Sequence, residues 1–140
     1  MESGIGKVNA AIAAALLIHN YSPRCIINTG SAGGLHPDLT VGDTVIADKL
    51  SYHDVNTLAF GYQFGQVPGM PHFYTSDKAL VNLSKQCVLE DAEHKAIIGL
   101  ITSSDSFIAD KEATCAIREK FNDVCAVDME STAIAQVCYQ

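Results

Sequence analysis

The sequence predicts an α/β domain in which a mixed, largely parallel sheet is covered by helices. Short apolar runs rich in β-branched residues alternate along the chain with segments whose apolar residues recur every three or four positions. Most runs end in small or polar residues shortly before the next helical segment, which is typical of strand–helix units. The chain has 140 residues and a hydrophobic content of 48%, so we expect a single domain over residues 1–140.

Four helices are predicted from the spacing of apolar side chains. The first is expected from Val8 to His19, and the second from an N-cap at Ser76 to Leu89. The third is expected over residues 110–121, and the fourth begins near residue 129. The spacing in the first helix predicts one buried stripe, made of Val8, Ala11, Ile12, Ala15 and Leu16.

Four strands are predicted between the helices. A buried strand is expected over residues 25–28, because this run is apolar, partly β-branched and followed by a glycine-rich turn. The other strands are expected over residues 43–48, 96–103 and 124–127. Residues 51–74 are rich in Gly, Pro and aromatic side chains without a period, and a loop of this length is usually functional.

The composition argues against several classes of function. The formal net charge is −7 with nine Lys and Arg, so we expect no nucleic-acid-binding surface. The five cysteines lack a CxxC pair and mostly have apolar neighbours, which predicts buried, reduced thiols in a cytoplasmic protein. The apolar stretch over residues 10–18 is too short to span a membrane. The five histidines lack the spacing of metal ligands, so neither a metal nor a cofactor is expected.

Two further motifs were considered and set aside. The Gly4-Ile5-Gly6-Lys7 turn resembles a phosphate-binding loop only loosely, because Val8 stands where that motif has a metal-binding hydroxyl. His53 and Asp54 are adjacent in the long loop, and we expect them to form an exposed structural pair.

Three strand exits are the expected site of chemistry, because ligands of α/β sheets bind outside the carboxyl ends of the strands. They cover residues 28–34, 103–109 and 127–130. In the first, Gly33 permits close backbone approach to a ligand, although a plain glycine turn is equally consistent. In the second, Phe107 suits a flat ring, although such a residue is more often part of a core. In the third, Asp128 and Glu130 suit a ribose diol, although a helix N-terminus favours acids for structural reasons.

Several motifs, taken together and in order, closely resemble the bacterial methylthioadenosine/S-adenosylhomocysteine nucleosidases. The likeness covers essentially the whole chain, and the compatible spacing of independent motifs makes it more specific than any glycine pattern alone. The motifs are Ser3-Gly4-Ile5-Gly6-Lys7-Val8, Ile27-Asn28-Thr29-Gly30-Ser31-Ala32-Gly33-Gly34, Tyr52-His53-Asp54, Ala59-Phe60-Gly61-Tyr62, Gln66-Val67-Pro68-Gly69, Asp105-Ser106-Phe107-Ile108 and Met129-Glu130-Ser131-Thr132-Ala133-Ile134-Ala135.

The resemblance implies a nucleoside phosphorylase-like fold and a homodimer. It implies cleavage of methylthioadenosine or S-adenosylhomocysteine to adenine and the thioribose product, a step of methionine salvage. Phe107 would stack on adenine, Ile108 would offer backbone hydrogen bonds, and Glu130 would hold the ribose hydroxyls. The full set of implied substrate-binding residues is Ser31, Ala32, Gly33, Phe107, Ile108, Val127, Asp128, Met129 and Glu130, with Phe60, Tyr62 and Pro68 reaching in from the partner subunit.

The chain departs from the family pattern at both ends. Members of the family position the attacking water with an early glutamate and protonate adenine with a late aspartate, and this sequence is expected to begin after the first and end before the second. We therefore expect a truncated fold without its first strand and C-terminal elements, assign no catalytic acid or base, and predict little turnover by these 140 residues alone.

Two alternative functions stay open at this stage. A purine nucleoside phosphorylase of the same fold would bind phosphate, and only Arg24 and Arg118 are present to do so, which favours hydrolysis. A non-catalytic adenosine-binding fragment would keep the same pocket walls without an acid or base.

Overall fold

The structure is a computed structural model that describes residues 1–89 and 94–140. In that part of the chain, five strands form one mixed sheet in the order β1-β5-β4-β2-β3. The inner strands β2, β4 and β5 are parallel to one another, and the short strands β1 and β3 pair antiparallel at the edges. The predicted mixed, largely parallel sheet is therefore confirmed. The strands are β1 (Gly33–Gly34), β2 (Thr44–Tyr52), β3 (Tyr74–Thr75), β4 (Ala96–Ser103) and β5 (Val124–Asp128).

All four predicted helices are present, as α1 (Lys7–Tyr21), α2 (Lys78–Leu89), α3 (Lys111–Lys120) and α4 (Ser131–Tyr139). A short 3-10 turn at Leu58–Phe60 lies in the long loop. The N-cap prediction for α2 was wrong by one residue, because the side chain of Asp77, and not that of Ser76, accepts the Leu80 N–H at 2.9 Å. No helix in residues 1–89 and 94–140 is long and apolar enough to cross a membrane.

The predicted buried stripe of α1 was wrong, although the helix itself is confirmed. Ala10, Ala13 and Ala14 are buried, whereas Val8 is 69% exposed and Ile12 is 53% exposed. The cause is that α1 packs against α4 through its small side chains, which let two helix backbones approach closely. Because α1 is apolar on most of its circumference, spacing alone fits more than one face.

The predicted buried strand over residues 25–28 was also wrong. No strand is assigned there, and Cys25, Ile27 and Asn28 are exposed. An apolar run becomes a strand only where a neighbouring strand supplies hydrogen bonds, and the edge of β5 on this side pairs instead with the two glycines of β1.

The expectation of buried thiols was wrong for most of the cysteines. Of the free cysteines, Cys125 is buried, and the exposed ones are Cys25, Cys87, Cys115 and Cys138.

The core lies on both faces of the sheet. Leu100 and Ile101 are consecutive on β4 and therefore point to opposite faces. Leu100 packs with Ile117 and Phe121 of the α3 region, and Ile101 packs with residues of β2, β3 and β5 and with Ala135 of α4. This two-sided packing fixes the parallel strands, and so fixes the loops that follow them.

Candidate functional site

The three strand exits lie next to one another at a single edge of the sheet. Ser103 at the end of β4 is paired with Asp128 at the end of β5. Gly33 of β1 is paired with Val127 in an antiparallel register. Ser31 and Ala32, which precede β1, therefore lie beside the end of β5 and the residues that follow it. Neighbouring strands are about 4.8 Å apart. The register therefore confirms that the second and third exits converge, and it brings Ser31 and Ala32 to the same edge through β1, although the strand predicted to precede them is absent.

Buried hydroxyl groups form the floor beneath this edge. The Ser103 hydroxyl donates to Asp128 Oδ1 at 2.5 Å and accepts the Thr132 N–H at 2.9 Å. The Thr132 hydroxyl donates to the Ser51 carbonyl at 2.8 Å. Ser51, Ser103 and Thr132 are fully buried. These bonds join β2, β4, β5 and α4, so the floor positions the first turn of α4 rigidly.

Asp128 caps α4 from within the protein. Its Oδ2 accepts the Ser131 N–H at 3.1 Å, and its Oδ1 accepts the hydroxyls of Ser103 and Ser131. Both carboxylate oxygens thus have protein donors. Asp128 therefore has the structural role that an acid commonly has at a helix N-terminus. Val127 is buried in the core, and its side chain packs against Gly33.

Glu130 is the half-buried acid that follows β5 two residues later. Its Oε1 accepts the Gly6 N–H at 2.8 Å, a contact between residues 124 positions apart. Its Oε2 lies 3.3 Å from the neighbouring Met129 nitrogen. An ionised carboxylate accepts about four hydrogen bonds, so Glu130 keeps acceptor capacity for a hydroxyl-bearing ligand while one oxygen is held in place.

The N-terminus of α1 closes the site, and the sequence analysis missed this. Gly6 adopts a φ of 94°, a left-handed conformation that favours glycine, and the next amide, Lys7 N–H, donates to Asp105 Oδ1 at 2.8 Å. The Lys7 ammonium forms a salt bridge with Asp54 at 2.7 Å and approaches Asp105 Oδ2 to 3.8 Å. Their partners are distant in sequence, so the Gly4–Lys7 motif was the available signal, and the sequence analysis used it in the family resemblance without giving Gly6 or Lys7 a role.

His53 and Asp54 do not form the expected exposed pair. The His53 ring is buried, and its Nδ1 lies 3.0 Å from the Thr102 hydroxyl. Asp54 instead accepts the Lys7 ammonium and the Asp105 N–H. Burial lowers the pKa of His53, and the neighbouring Asp54 opposes that shift without reversing it. A neutral imidazole at this place is a structural part of the β2 exit.

The remaining implied site residues lie at the surface of this edge. Phe107 is 83% exposed, and Ser31 and Ala32 are exposed. Ile108 is half-buried against the core cluster of Leu100 and Ile117.

The long loop also presents an exposed aromatic side chain. Phe60 is 80% exposed, Pro68 is exposed, and Tyr62 is half-buried. The loop is nevertheless internally bonded, because the Gln66 side chain accepts the Gln63 N–H at 3.1 Å and donates to the Met70 carbonyl at 2.8 Å. Phe60 is therefore exposed on a loop that is held in shape by its own hydrogen bonds.

No group of three or more His, Cys, Asp or Glu side chains suitable for a metal occurs in the described part of the chain. A depression of about 610 Å³ lies near the opposite ends of β4 and β5. It is lined by residues such as Ile97, Asp123 and Arg118, and the Arg118 guanidinium donates to the Leu35 carbonyl. None of the three strand exits forms this depression.

The whole of residues 1–140 matches the family model described as the phosphorylase superfamily. A 5'-methylthioadenosine/S-adenosylhomocysteine nucleosidase from Bacillus cytotoxicus is 49% identical over all 140 residues, which make up 61% of that relative's length. The chain therefore spans less than two thirds of this relative.

Two solved structures resemble this fold closely. The nucleosidase of the same name from Neisseria meningitidis, in complex with methylthio-immucillin-A, has a TM-score of 0.96 and 47% identity, covering 99% of this chain and 60% of that one. The Colwellia psychrerythraea nucleosidase, in complex with adenine, has a TM-score of 0.95 and 43% identity, covering 99% of this chain and 58% of that one.

Proposed function

The chain belongs to the phosphorylase superfamily, and on that premise we propose that it forms the adenine- and ribose-binding part of a nucleosidase. The proposed reaction is hydrolysis of the N-glycosidic bond of 5'-methylthioadenosine and S-adenosylhomocysteine, which gives adenine and the thioribose product. The observation that carries the proposal is the Glu130 carboxylate, held by the Gly6 amide at 2.8 Å where three strand exits meet. A carboxylate fixed in this way is suited to accept both hydroxyls of a ribose diol.

The adenine ring is assigned to the second exit. The exposed Phe107 ring offers a flat apolar surface for stacking, and the backbone of Ile108 supplies the directional hydrogen bonds that a purine edge requires. Met129 is half-buried beside Glu130 and is proposed to pack on the ribose. The small residues Ser31, Ala32 and Gly33 are proposed to line the space near the ribose and the attacking water. Asp128 and Val127 contribute from below, by fixing α4 and the end of β5.

We assign the general acid and base to no residue of this chain. Besides Glu130, which is assigned to the ribose, the acids within the strand exits are Asp105 and Asp128, and both already accept protein donors. A positioned acid typically contributes about 10²–10⁴-fold to such a reaction. We therefore propose that the 140 residues bind a nucleoside but cleave it slowly, which keeps a non-catalytic adenosine-binding fragment as the second candidate.

Hydrolysis is proposed in preference to phosphorolysis. Phosphate recognition usually requires arginine, and the guanidinium of Arg118 is bonded to the Leu35 carbonyl away from the strand exits. Arg24 is exposed and does not belong to any of the three exits.

A homodimer is proposed, in which Phe60, Tyr62 and Pro68 reach the site of the partner subunit. The support is the displayed, 80% exposed ring of Phe60 together with the exposed apolar side chains of Val8 and Ile12 on α1. Free cysteines and a small nucleoside substrate fit a cytoplasmic location, which we also propose.

Isothermal titration of the purified 140-residue chain with methylthioadenosine tests the proposal. We expect binding, and we expect Glu130→Gln to weaken it about tenfold to a hundredfold, because hydrogen bonds to a charged acceptor contribute roughly 1.5–3 kcal/mol. Glu119→Gln, on the exposed face of α3, is the matched control and should bind like the wild type. Sedimentation velocity at the titration concentrations reports the dimer. No binding by a folded chain, or equal binding by Glu130→Gln, would refute the assignment.

A further inference from the structure

Two consecutive amides at the start of α1 donate to carboxylates from two different strand exits. Gly6 N–H donates to Glu130 Oε1 and Lys7 N–H donates to Asp105 Oδ1, each at 2.8 Å. Because the two amides belong to one turn of backbone, their separation is fixed. These two hydrogen bonds therefore connect Glu130, which is assigned to the ribose, with the 105–108 loop, which is assigned to adenine.

The side chain of Lys7 reinforces this tie through charge. Its ammonium lies 2.7 Å from Asp54 Oδ2 and 3.8 Å from Asp105 Oδ2. Asp54 Oδ2 also accepts the Asp105 N–H at 3.2 Å, so the two aspartates are close neighbours. Without the ammonium, the carboxylates of Asp54 and Asp105 would be neighbouring like charges with no cation between them, and their repulsion would push the β2 and β4 exits apart.

The surroundings of Lys7 limit the screening of these charges. Its side chain is 24% exposed, and the ammonium lies 5.1 Å from the centroid of the Tyr52 ring. Tyr52 is buried, and its hydroxyl donates to Gln136 of α4 at 2.8 Å. The Lys7 ammonium thus lies over an aromatic ring that is itself held by a hydrogen bond to α4, and this restricts the positions that the ammonium can occupy.

We infer that Lys7 is a positioning residue, which acts through Asp54 and Asp105 to hold the 105–108 loop at a set distance from Glu130. The inference rests on the proposed function, since it takes this loop as the adenine-binding site and Glu130 as the ribose-binding residue. Its consequence is specific: Lys7 increases the affinity for a nucleoside, which occupies both sites, more than the affinity for free adenine, which occupies one.

Titrations with methylthioadenosine and with adenine test this consequence. For Lys7→Met we expect about a tenfold loss of nucleoside affinity and a smaller loss for adenine, as residues in one charge network are strongly coupled. Lys7→Arg keeps the charge and should recover most of the affinity. In the double variant Lys7→Met with Asp54→Asn, the unbalanced charge is gone, so the combined loss should be less than the product of the two single losses.

Lys49→Met is the matched control. Lys49 also forms a salt bridge, with Asp123 at 2.5 Å, and its ammonium also lies 5.1 Å from an aromatic centroid, that of Phe73. It lies on β2 away from the three exits, so its replacement should leave both affinities unchanged.

Amide hydrogen exchange of the unliganded chain separates this inference from the proposed function. The Asp105 N–H is bonded to Asp54, so Lys7→Met should speed its exchange about tenfold, while Lys49→Met should not. If the wild type binds no nucleoside but this exchange changes as expected, the function fails and the positioning role holds. Unchanged exchange in Lys7→Met, equal losses for both ligands, or fully independent losses in the double variant would each overturn the positioning role.

Discussion

The two ends of the parallel strands are held together by different means. At the carboxyl ends, buried hydroxyls and carboxylates bond across β2, β4, β5 and α4, as Ser103 and Thr132 show. Toward the amino ends the side-chain hydrogen bonds lie at the exposed surface, as at Asp43, and the buried contacts depend on shape, as where Gly99 leaves room for the side chain of Cys125. Directional bonds fix the positions of groups that must meet a ligand, whereas close packing only has to fill space. Removing a buried hydroxyl at the carboxyl ends should therefore lower the free energy of unfolding, and so should adding a methyl group toward the amino ends.

The largest effect is expected from Thr132→Val at the carboxyl ends. The change keeps the shape of the side chain but removes a buried hydroxyl that donates to the Ser51 carbonyl at 2.8 Å. We expect the free energy of unfolding to fall by about 2–3 kcal/mol, because a buried polar partner is left unsatisfied. Urea denaturation measures it.

Thr114→Val is the control for that change. Thr114 is also in the first half of a helix, and its hydroxyl donates to the Asp110 carbonyl at 2.9 Å near the surface, where water replaces it. A loss within about 0.5 kcal/mol is expected. Equal losses for the two threonines would mean that the hydroxyl floor does not stabilise the carboxyl ends.

An intermediate effect is expected from Gly99→Ala toward the amino ends. A Cβ at residue 99 would overlap the Cys125 sulfur, and overpacking of this kind costs about 1–3 kcal/mol. The double variant with Cys125→Ala should regain part of that loss, as the sulfur is then gone. Gly30→Ala adds a methyl group where no atom lies within 4 Å and should be neutral in the same denaturation experiment. A Gly99→Ala chain as stable as the wild type would contradict close packing there.

The smallest effect concerns Asp43, which precedes β2. The Lys95 N–H and the Thr40 N–H donate to its carboxylate and hold its pKa at about 2, below the ordinary value of 3.8. A lowered pKa contributes stability above the ordinary value, and that contribution is lost as the pH falls toward 2.

Thermal unfolding of Asp43→Asn between pH 5 and pH 2 isolates this contribution. The variant should lose less stability on acidification than the wild type. Parallel curves for Asp43→Asn and the wild type would show that the carboxylate does not stabilise the start of β2.

The parts of the fold that follow from local pattern were predictable. The strand Ala96–Ser103 was predicted to the residue, because its apolar run continues through the β-branched Thr102 before the polar residues Ser104 and Asp105. The helices were found from their spacing, but the buried face of α1 was not, since alanines contact α4 while larger residues face water. Residues 25–28 show the limit of local pattern, because whether a run pairs depends on which strand lies beside it.

The candidate site divides in the same way. The second and third exits were predictable from topology, because the parallel strands β4 and β5 end at the same edge, whereas the first reaches that edge through the antiparallel β1 and not as the end of the predicted strand over residues 25–28. The role of the Gly6 and Lys7 amides was not, because their acceptors lie 124 and 98 positions away. No periodicity in a single sequence encodes contacts at that separation.

The unequal exposure of the cysteines gives this chain a built-in reporter of its own opening. Burial raises the pKa of the Cys125 thiol, so less of the reactive thiolate is present, and the side chain is buried against Gly99 of β4. An alkylating reagent added to the folded protein should label the exposed Cys25, Cys87 and Cys115 first and Cys138 more slowly, since burial also raises the pKa of the Cys138 thiol. The fifth modification, read by intact mass, would then count each molecule whose sheet has come apart, without any added dye or engineered probe.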